Sequence, residues 1–313
     1  MSSSAAKRRV LFLYNVPDWA IHNVGRDWGE LLAATHEFTL ARYGEHEALD
    51  PAAFDHVVWG YSTLRYSGRM LMASLARRPL GLWRWQRARG PGLCAVVQDP
   101  SELFPEVADW RAQAPRLEHL RRFARIAVTS NEMLAVLAEH GVAASKVNTR
   151  SRLPLRAGAE VAEEPLRVFT RAQRYPRKNL PLFESLARRF AGTLERCDAI
   201  LGGAVLPEAN YIRQIDGYNC YVCTSWQEGG PLPLMDALRR GCVVLTTPVG
   251  QTDELVSDGV NGYFCRDEAE FASRLQELHD SPRRLADMRR AALARAADSR
   301  EALVCAQLKE LLP

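Results

Sequence analysis

Two acidic residues flank a pair of glycines where a strand is expected to give way to a helix. The strand ends near Thr224, Glu228 lies in the following loop, and Asp236 comes eight residues later in the second helical turn. Gly229 and Gly230 let a ligand approach the backbone closely, and free N–H groups at a helix start attract negative charge and hydroxyls. The stretch therefore predicts a site for a polar, anionic ligand. The alternative is a helix-capping acid followed by a tight turn.

A second group of chemically active residues is basic and follows another predicted strand, in the sequence from Thr170 to Leu180. Arg171 comes directly after this strand, and Arg174, Lys178 and Asn179 follow it. A guanidinium donates two hydrogen bonds as a fork, whereas an ammonium acts as a point charge, and the combination suits a diphosphate. The alternative is an exposed basic loop.

The cysteines do not form a convincing metal site. Cys220 and Cys223 have the spacing of a zinc-binding pair, but there is no second pair at finger spacing, and Cys223 falls in a predicted core strand. Seven scattered cysteines suit a reducing compartment better than a disulfide scaffold. The sequence also has no P-loop, Ser-His-Asp signature or dinucleotide-binding glycine motif after a strand. We therefore expect no metal.

Short apolar runs alternate with helix-length segments through the chain, which predicts an α/β protein built from parallel βαβ units. The pattern stops over residues 150–165 and then restarts, so we expect two Rossmann-like domains, residues 1–157 and 158–313. The last helix is a candidate to pack back on the first domain. In such sheets ligands bind outside the carboxyl ends of the strands, here in a cleft between the two domains. The strands expected are Arg9–Tyr14, Phe38–Tyr43, Asp55–Trp59, Leu93–Gln98, Ile126–Thr129, Leu166–Thr170, Ala199–Leu201, Tyr221–Thr224, Val243–Thr246 and Gly262–Cys265. Helices are expected between them, including Met70–Arg78 and Leu117–Phe123.

Composition excludes several classes of protein. The chain has 313 residues, of which 47% are hydrophobic and 25% charged, as in an ordinary globular protein rather than a disordered one. No apolar run approaches the roughly 20 residues that span a bilayer, and the N-terminus does not resemble a signal peptide. We expect a cytoplasmic protein.

Residues 56–98 contain seven arginines and no acid, which favours an anionic partner. Within this stretch Trp83 and Arg84 begin an alternation of aromatic and basic residues. Such a pattern over residues 65–89 suits peripheral contact with the inner face of a membrane or with nucleic acid. The third interpretation is a solvated loop whose tryptophans pack onto their own domain.

The stretch from Ser225 to Gly262 resembles the donor-binding half of GT-B glycosyltransferases, and most closely the large retaining family 4, the glycosyl transferases of group 1. The match is dense over this stretch and looser over the two-domain layout. The pattern consists of Glu-Gly-x-Pro at residues 228–231, Asp236, Ala-Leu-x-x-Gly-Cys-x-Val at residues 237–244, Gly250, Glu254 and Asn-Gly at residues 261–262.

This resemblance implies roles for the donor half. Glu228 would contact the hydroxyls of the donor sugar, and the N–H groups of Gly229 and Gly230 would meet the sugar and the phosphates. Asp236 stands where the family usually has a glutamate that holds the ribose hydroxyls; being one methylene shorter, it reaches them directly or through water.

The basic loop matches the family as well. The family carries an arginine after this strand and a lysine a few residues later, often followed by asparagine, so Lys178 and Asn179 fit the diphosphate site. The arginine is either Arg171 or Arg174, and strand position favours Arg171.

The resemblance is weaker in the first domain. Asp18 and Trp19 would border the acceptor pocket, although Asp18 is equally suited to capping the next helix. The family often has a histidine where this chain has Gln98 and Asp99. Either Asp99 takes over part of that role, or the acceptor is bound differently.

The resemblance thus implies transfer of a hexose-type sugar, with retention, from a nucleoside-diphosphate-sugar co-substrate to an acceptor hydroxyl, without a cofactor. Glu228, Lys178 and Asp99 would be catalytic, and Trp83 and Arg84 would help to bind a glycan or a lipid-linked acceptor. Two alternatives stay open: transfer to a hydroxyl on a nucleic-acid base, and a catalytically degenerate protein that only binds sugar nucleotides. The sequence does not define the base, the sugar, the acceptor or the oligomeric state.

Overall fold

A computed structural model describes most of the chain, as two compact units. Unit 1 comprises Met1–Phe104, Gln113–Thr149 and Glu301–Pro313, and unit 2 comprises Pro105–Ala112 and Arg150–Arg300. The described residues are 6–18, 20–42, 45–60, 92–117, 120–156, 161–172, 174–201 and 206–313. Several sequence-based expectations lie outside them: Trp19, Trp83, Arg84, the basic stretch 65–89, a helix over residues 70–78 and the domain boundary after residue 157.

Unit 1 is built on a parallel sheet. Its strands and α-helices are β1 (Arg8–Tyr14), α1 (Ala20–Leu31), β2 (His36–Arg42), β3 (His56–Gly60), β4 (Leu93–Val97), β5 (Arg125–Val128), α2 (Asn131–Glu139) and β6 (Ser145–Lys146), and the C-terminal helix Glu301–Leu311 also belongs to it. The strand order is β2-β1-β3-β4-β5-β6, and every neighbouring pair is parallel.

The central strand of unit 1 is buried on both faces, as a parallel sheet covered by helices requires. Val10 and Phe12 of β1 point into one apolar cluster, and Leu11 and Leu13 into another. The C-terminal helix adds Val304, Leu308 and Leu311 to the first cluster, together with residues of α1. The final helix is therefore part of the core of unit 1.

Side chains of unit 1 also bind the last backbone carbonyls. Arg125 Nη1 donates to Leu311 O over 3.1 Å, and His36 Nε2 lies 2.9 Å from Leu312 O. His56 Nε2 lies 3.1 Å from Pro313 O, and burial lowers the pKa of His56. Neutral imidazole is the favoured form there.

Unit 2 repeats the layout with a five-stranded parallel sheet. Its elements are β7 (Arg167–Ala172), α3 (Leu180–Arg189), β8 (Arg196–Leu201), α4 (Glu208–Asp216), β9 (Cys220–Cys223), α5 (Leu232–Arg239), β10 (Val243–Thr246), α6 (Thr252–Leu255), β11 (Gly262–Phe264), α7 (Glu268–Asp280) and α8 (Pro282–Ala296); the C-terminal helix of unit 1 is α9. The strand order is β11-β10-β9-β7-β8.

The strand order of unit 2 contains a topological switch point between β7 and β9. The chain runs from β7 to β8 on one side of the sheet, then returns to β9 and continues outward through β10 and β11. At such a point the connections on the two sides diverge and open a crevice beyond the carboxyl ends of the strands. The residues that follow β7 and β9 are therefore placed to meet a ligand.

The expected strands are present with bounds that differ by at most three residues, but one expected helix is a 3₁₀ turn and one strand was not predicted. A helix was expected over residues 117–123, whereas the described part of that segment has only a 3₁₀ turn at Leu120–Arg122. The residues that lead into this turn are not helical, because the Arg116 N–H donates to the distant carbonyl of Leu103 and not to a carbonyl one turn earlier. The two-residue strand β6 has too little periodicity to be recognised.

No helix among the described residues is long and apolar enough to cross a bilayer.

Candidate functional site

Glu228 is a buried carboxylate that three side chains of unit 2 surround. Only 7% of the residue is exposed. Lys178 Nζ donates to its Oε1 over 2.5 Å, and Ser225 Oγ donates to the same oxygen over 2.7 Å. Arg177 Nη1 lies 3.8 Å from Oε2. The structure thus brings together two residues that the sequence indicated, Glu228 and Lys178, and adds Ser225 and Arg177.

The two loops that carry this ion pair are joined by hydrogen bonds to the backbone carbonyls of residues 177–179. Thr224 Oγ1 donates to the carbonyls of Lys178 and Asn179 over 3.1 and 3.0 Å, and the Trp226 N–H donates to Arg177 O over 2.7 Å. Asn179 adopts a left-handed conformation with φ 45°, which asparagine tolerates better than most residues. The turn reverses the chain into α3 and keeps Lys178 at the end of β9.

Gly250 packs against the loop that follows Glu228. Its φ is +57°, and a Cβ at this position would lie 2.1 Å from the Gly229 carbonyl oxygen. The adjoining Gln251 N–H donates to that same carbonyl over 2.8 Å. Only glycine satisfies both the left-handed backbone and the close contact, so the loops after β9 and β10 form one surface.

The start of α5 offers one backbone donor to this surface. The helix begins at Leu232, between Pro231 and Pro233, neither of which has an N–H group. The N–H groups of Leu234 and Met235 donate to Pro231 O over 2.9 and 3.2 Å, so the Leu232 N–H is the donor that this helix start can offer. This N-terminus follows directly on Glu228, Gly229 and Gly230.

Asp236, in the second turn of α5, is held by two hydroxyl groups. Ser151 Oγ donates to Oδ1 over 2.5 Å, and Tyr211 OH donates to Oδ2 over 3.0 Å. Withdrawal from water raises the pKa of Asp236 to about 6. Neither hydroxyl was indicated by the sequence, because both lie far from Asp236 along the chain.

The two candidate arginines have different surroundings. Arg171, at the end of β7, places its guanidinium 4.0 Å from the centre of the Tyr211 ring, and its Nη1 is buried without a hydrogen-bond partner among the described residues. Arg174 has a side chain that is 70% exposed, and it lies 3.7 Å from Glu184. Because a buried donor without a partner is costly, Arg171 is the better placed of the two to bind a ligand.

Glu254 is paired within unit 2. Its Oε2 accepts a hydrogen bond from Arg300 Nη2 over 2.6 Å, and both side chains are mostly buried. Arg300 has a left-handed backbone, with φ 58°, and its Nη1 also reaches Gln251 over 3.4 Å. Glu254 thus fixes the loop that begins at Gly250, an arrangement that the sequence did not reveal.

A short segment of unit 2, Pro105–Ala112, lies far from the rest of that unit along the chain and packs on the loop after β9. Gln227 is fully buried, and its Nε2 donates to Pro105 O over 2.7 Å. Trp110 Nε1 donates to Trp226 O over 3.2 Å. The sequence of residues 105–112 has no pattern that predicts these contacts, because they join residues more than a hundred positions apart.

The acceptor-side candidates in unit 1 occupy the carboxyl ends of β1 and β4. Asp18 has a φ of 59°, and its N–H donates to His22 Nδ1 over 2.8 Å. Asp99 caps a short 3₁₀ turn, where its Oδ1 accepts from the Ser101 N–H over 2.9 Å. The carbonyl of Gln98 accepts from the hydroxyl of Thr129 over 2.5 Å.

Within the described part of the chain, no group of three or more His, Cys, Asp or Glu residues could hold a metal ion. Cys220 and Cys223 are buried free thiols, and burial raises the pKa of both.

Residues 175–281 match a model of the family described as glycosyl transferases group 1. This range contains Lys178, Glu228, Asp236, Gly250 and Glu254. The matched range lies within unit 2, which is similar to this family. The resemblance drawn from residues 225–262 is thereby confirmed, and the matched range extends it to the basic loop.

Solved structures share the fold of the whole chain at low sequence identity. Sucrose-phosphate synthase from Thermosynechococcus elongatus is 12% identical with a TM-score of 0.68, over 97% of this chain and 98% of that one. HepE from Anabaena, in complex with UDP-glucose, is 14% identical with a TM-score of 0.65, over 97% and 99%. The predicted α/β class and GT-B fold are confirmed.

A third structure covers less of this chain. TarM from S. aureus, in a complex with fondaparinux, α-GlcNAc-glycerol and UDP, is 14% identical with a TM-score of 0.58, over 70% of this chain and 50% of that one. The chain thus spans about half the length of TarM. A comparison with curated protein sequences gives no match.

Proposed function

We propose that the protein transfers a sugar from a UDP-sugar to a hydroxyl group of an acceptor, with retention at the anomeric carbon. The observation that carries the proposal is the buried Lys178–Glu228 pair at the switch point of unit 2, which is similar to the glycosyl transferases of group 1. HepE and TarM were solved with UDP or UDP-glucose, which supports uracil as the base of the donor.

The diphosphate is proposed to bind at the basic end of the site. Lys178 would turn from Glu228 toward the phosphates, while Arg171 would supply the guanidinium whose Nη1 lacks a partner. The N–H groups of Gly229, Gly230 and Leu232 would complete the anion site. Apart from Lys178, these donors are fixed before the reaction, so they stabilise the charge that develops on the leaving diphosphate without reorganising.

Glu228 is proposed to accept hydrogen bonds from the hydroxyls of the donor sugar. Ser225 holds one of its oxygens, and the turn of Lys178 toward the phosphates would leave Glu228 available to the sugar. In the reaction the bond from the anomeric carbon to the diphosphate oxygen breaks, and the acceptor oxygen bonds to that carbon. The proton of the acceptor hydroxyl passes to the departing diphosphate, so atoms and charge balance without a metal.

The acceptor is proposed to bind at the strand ends of unit 1. Asp18 is an exposed carboxylate beside His22, while one oxygen of Asp99 is already bonded to Ser101. Of the two, Asp18 is thus the freer to receive an acceptor hydroxyl, and Asp99 would orient the loop that carries Gln98. We propose that the transferred sugar is a hexose-type sugar and that the acceptor is a glycan or a lipid-linked molecule.

The experiment is a panel of UDP-sugars with the wild-type protein, followed by thermal unfolding and by release of UDP. A ligand present at 100 times its Kd stabilises a protein by about 2.7 kcal/mol, so a shift in Tm should accompany one or more donors. Glu228→Gln should retain UDP binding and lose UDP release. Binding without turnover by the wild-type protein, with a range of acceptors, would instead favour a sugar-nucleotide-binding protein; no binding of any uridine nucleotide would refute the proposal.

A further inference from the structure

Asp236 sits in a network that links four segments of unit 2. Ser151 precedes β7, Arg171 ends that strand, Tyr211 lies on α4, and Asp236 is on α5. Each carboxylate oxygen receives one hydroxyl, from Ser151 on Oδ1 and from Tyr211 on Oδ2. The carboxylate is therefore fixed in one orientation rather than free to rotate.

The two hydroxyls are themselves fixed. Ser151 is 6% exposed, and its Oγ accepts a hydrogen bond from the Leu153 N–H over 3.1 Å, which directs its own proton toward Asp236. The Tyr211 ring is held by the guanidinium of Arg171 at 4.0 Å. A carboxylate has about four acceptor positions, so a ligand hydroxyl can still bind to each oxygen.

We propose that Ser151 and Tyr211 are positioning residues of the donor site, which hold the Asp236 carboxylate charged and oriented for the ribose hydroxyls of the nucleotide. This inference rests on the proposed function. The resemblance already implies the ribose contact for Asp236; the new assignment is that Ser151 and Tyr211 control the charge and the direction of its carboxylate. Without these two hydrogen bonds, the carboxylate of Asp236 would be free to rotate and would have no fixed direction.

The charge of Asp236 changes in the range where enzymes work. Burial raises its pKa to about 6, and the hydroxyls of Ser151 and Tyr211 act against that rise, together with the positive charges of Arg171 and Arg239. Burial raises the pKa of Tyr211 above its usual value, so its hydroxyl stays neutral over this range. Of the carboxylate and the two hydroxyls, Asp236 is the group that changes charge between about pH 5 and pH 8.

The ribose contact should therefore strengthen as the pH rises. An ionised carboxylate accepts a ribose O–H as a charge-assisted hydrogen bond, whereas the protonated acid loses much of that interaction. Removal of either hydroxyl donor destabilises the ionised form, so the pKa of Asp236 rises further. The pH at which ribose is preferred should rise with it.

The test compares the affinities of UDP and 2′-deoxyUDP by calorimetry from about pH 5 to about pH 8. The two nucleotides have the same phosphates, so the ratio of their Kd values cancels phosphate ionisation. For the wild-type protein this ratio should be about tenfold or more above pH 7, as expected for a hydrogen bond to a charged group. It should fall toward one at pH 5.

Ser151→Ala and Tyr211→Phe should each shift the midpoint of this profile to higher pH, and Asp236→Asn should abolish the preference at every pH. The matched control is Tyr218→Phe, because the Tyr218 hydroxyl donates to a different carboxylate, Asp198, over 2.8 Å. Its profile should match that of the wild type. Thermal unfolding of each variant establishes that it is folded, and the conservative Tyr211→Phe change tests the inference independently of Ser151.

The outcomes distinguish a failure of the proposed function from a failure of the role assigned to Ser151 and Tyr211. Failure of the wild-type protein to bind UDP would overturn both the proposed function and this inference. UDP binding with a ratio that is independent of pH, or with profiles unchanged in both hydroxyl variants, would overturn the inference alone. A shift caused equally by Tyr218→Phe would also overturn it, since the effect would then be a general one.

Discussion

Removal of Lys178 should destabilise unit 2 because it isolates a buried carboxylate. The Lys178 and Glu228 side chains are 17% and 10% exposed, and their charged atoms are 2.5 Å apart. Removing one partner of a buried pair costs about 3–5 kcal/mol. Here Ser225 and the Arg177 guanidinium at 3.8 Å still support Glu228, so we expect the lower limit, about 3 kcal/mol, for Lys178→Met.

Glu228→Gln should cost less, about 1–2 kcal/mol, because it removes the negative charge and leaves a lysine that can extend toward water. The double variant should lose at least about 1 kcal/mol less than the sum of the single losses, which is a coupling typical of residues in contact. Urea unfolding measures each free energy from the midpoint and the slope. Lys178→Met should also weaken UDP binding, which calorimetry on the folded variant measures.

The control is the Arg174–Glu184 pair of the same unit, whose side chains are 70% and 41% exposed at 3.7 Å. Exposed pairs contribute about 0–1 kcal/mol, so the same cycle there should give a coupling near zero. Single losses at Lys178 and Glu228 that simply add, within about 0.5 kcal/mol, would refute the reasoning, because the two groups would then not share one buried interaction.

Three further predictions concern other parts of the molecule. Gly250→Ala should strongly impair UDP binding, since its Cβ would lie 2.1 Å from Gly229 O, whereas Gly192→Ala, with φ +76° and nothing within 4 Å, should cost only stability; calorimetry and urea unfolding distinguish the two. Arg300→Leu should raise the KM for the donor more than it lowers kcat, because it releases the Gly250 loop; an unchanged KM would contradict this. The pKa of His56 is lowered by burial from 6.5, so the unfolded chain binds the proton more readily. Stability should be complete above about pH 6.5 and decline as the pH falls below it, and urea unfolding of His56→Gln should show a smaller decline.

Local patterns were sufficient for most of the strands and for the donor loop. Alternating apolar runs and helix-length segments define the βαβ units, because buried parallel strands need near-continuous apolar sequence. Glu228 and Lys178 could be identified since each lies just after a strand whose end is visible in the sequence. Their pairing follows from the sheet order, which puts β7 beside β9.

The partners of the other candidates could not be predicted, because the contacts are distant in sequence. Asp236 meets Ser151, 85 positions away, and Glu254 meets Arg300, 46 positions away. A hydroxyl or an arginine has no local pattern that shows what it will bind. The packing of residues 105–112 on the loop at Gln227 was missed for the same reason.

The central claim is that a nucleoside diphosphate binds where the loops after β7, β9 and β10 meet. Hydrogen exchange of the wild-type protein, with and without saturating UDP, measures this directly at the backbone. The account predicts slower exchange in peptides that cover residues 174–180, 224–233 and 247–255. Saturation with UDP that leaves these three peptides unchanged and protects others would contradict it.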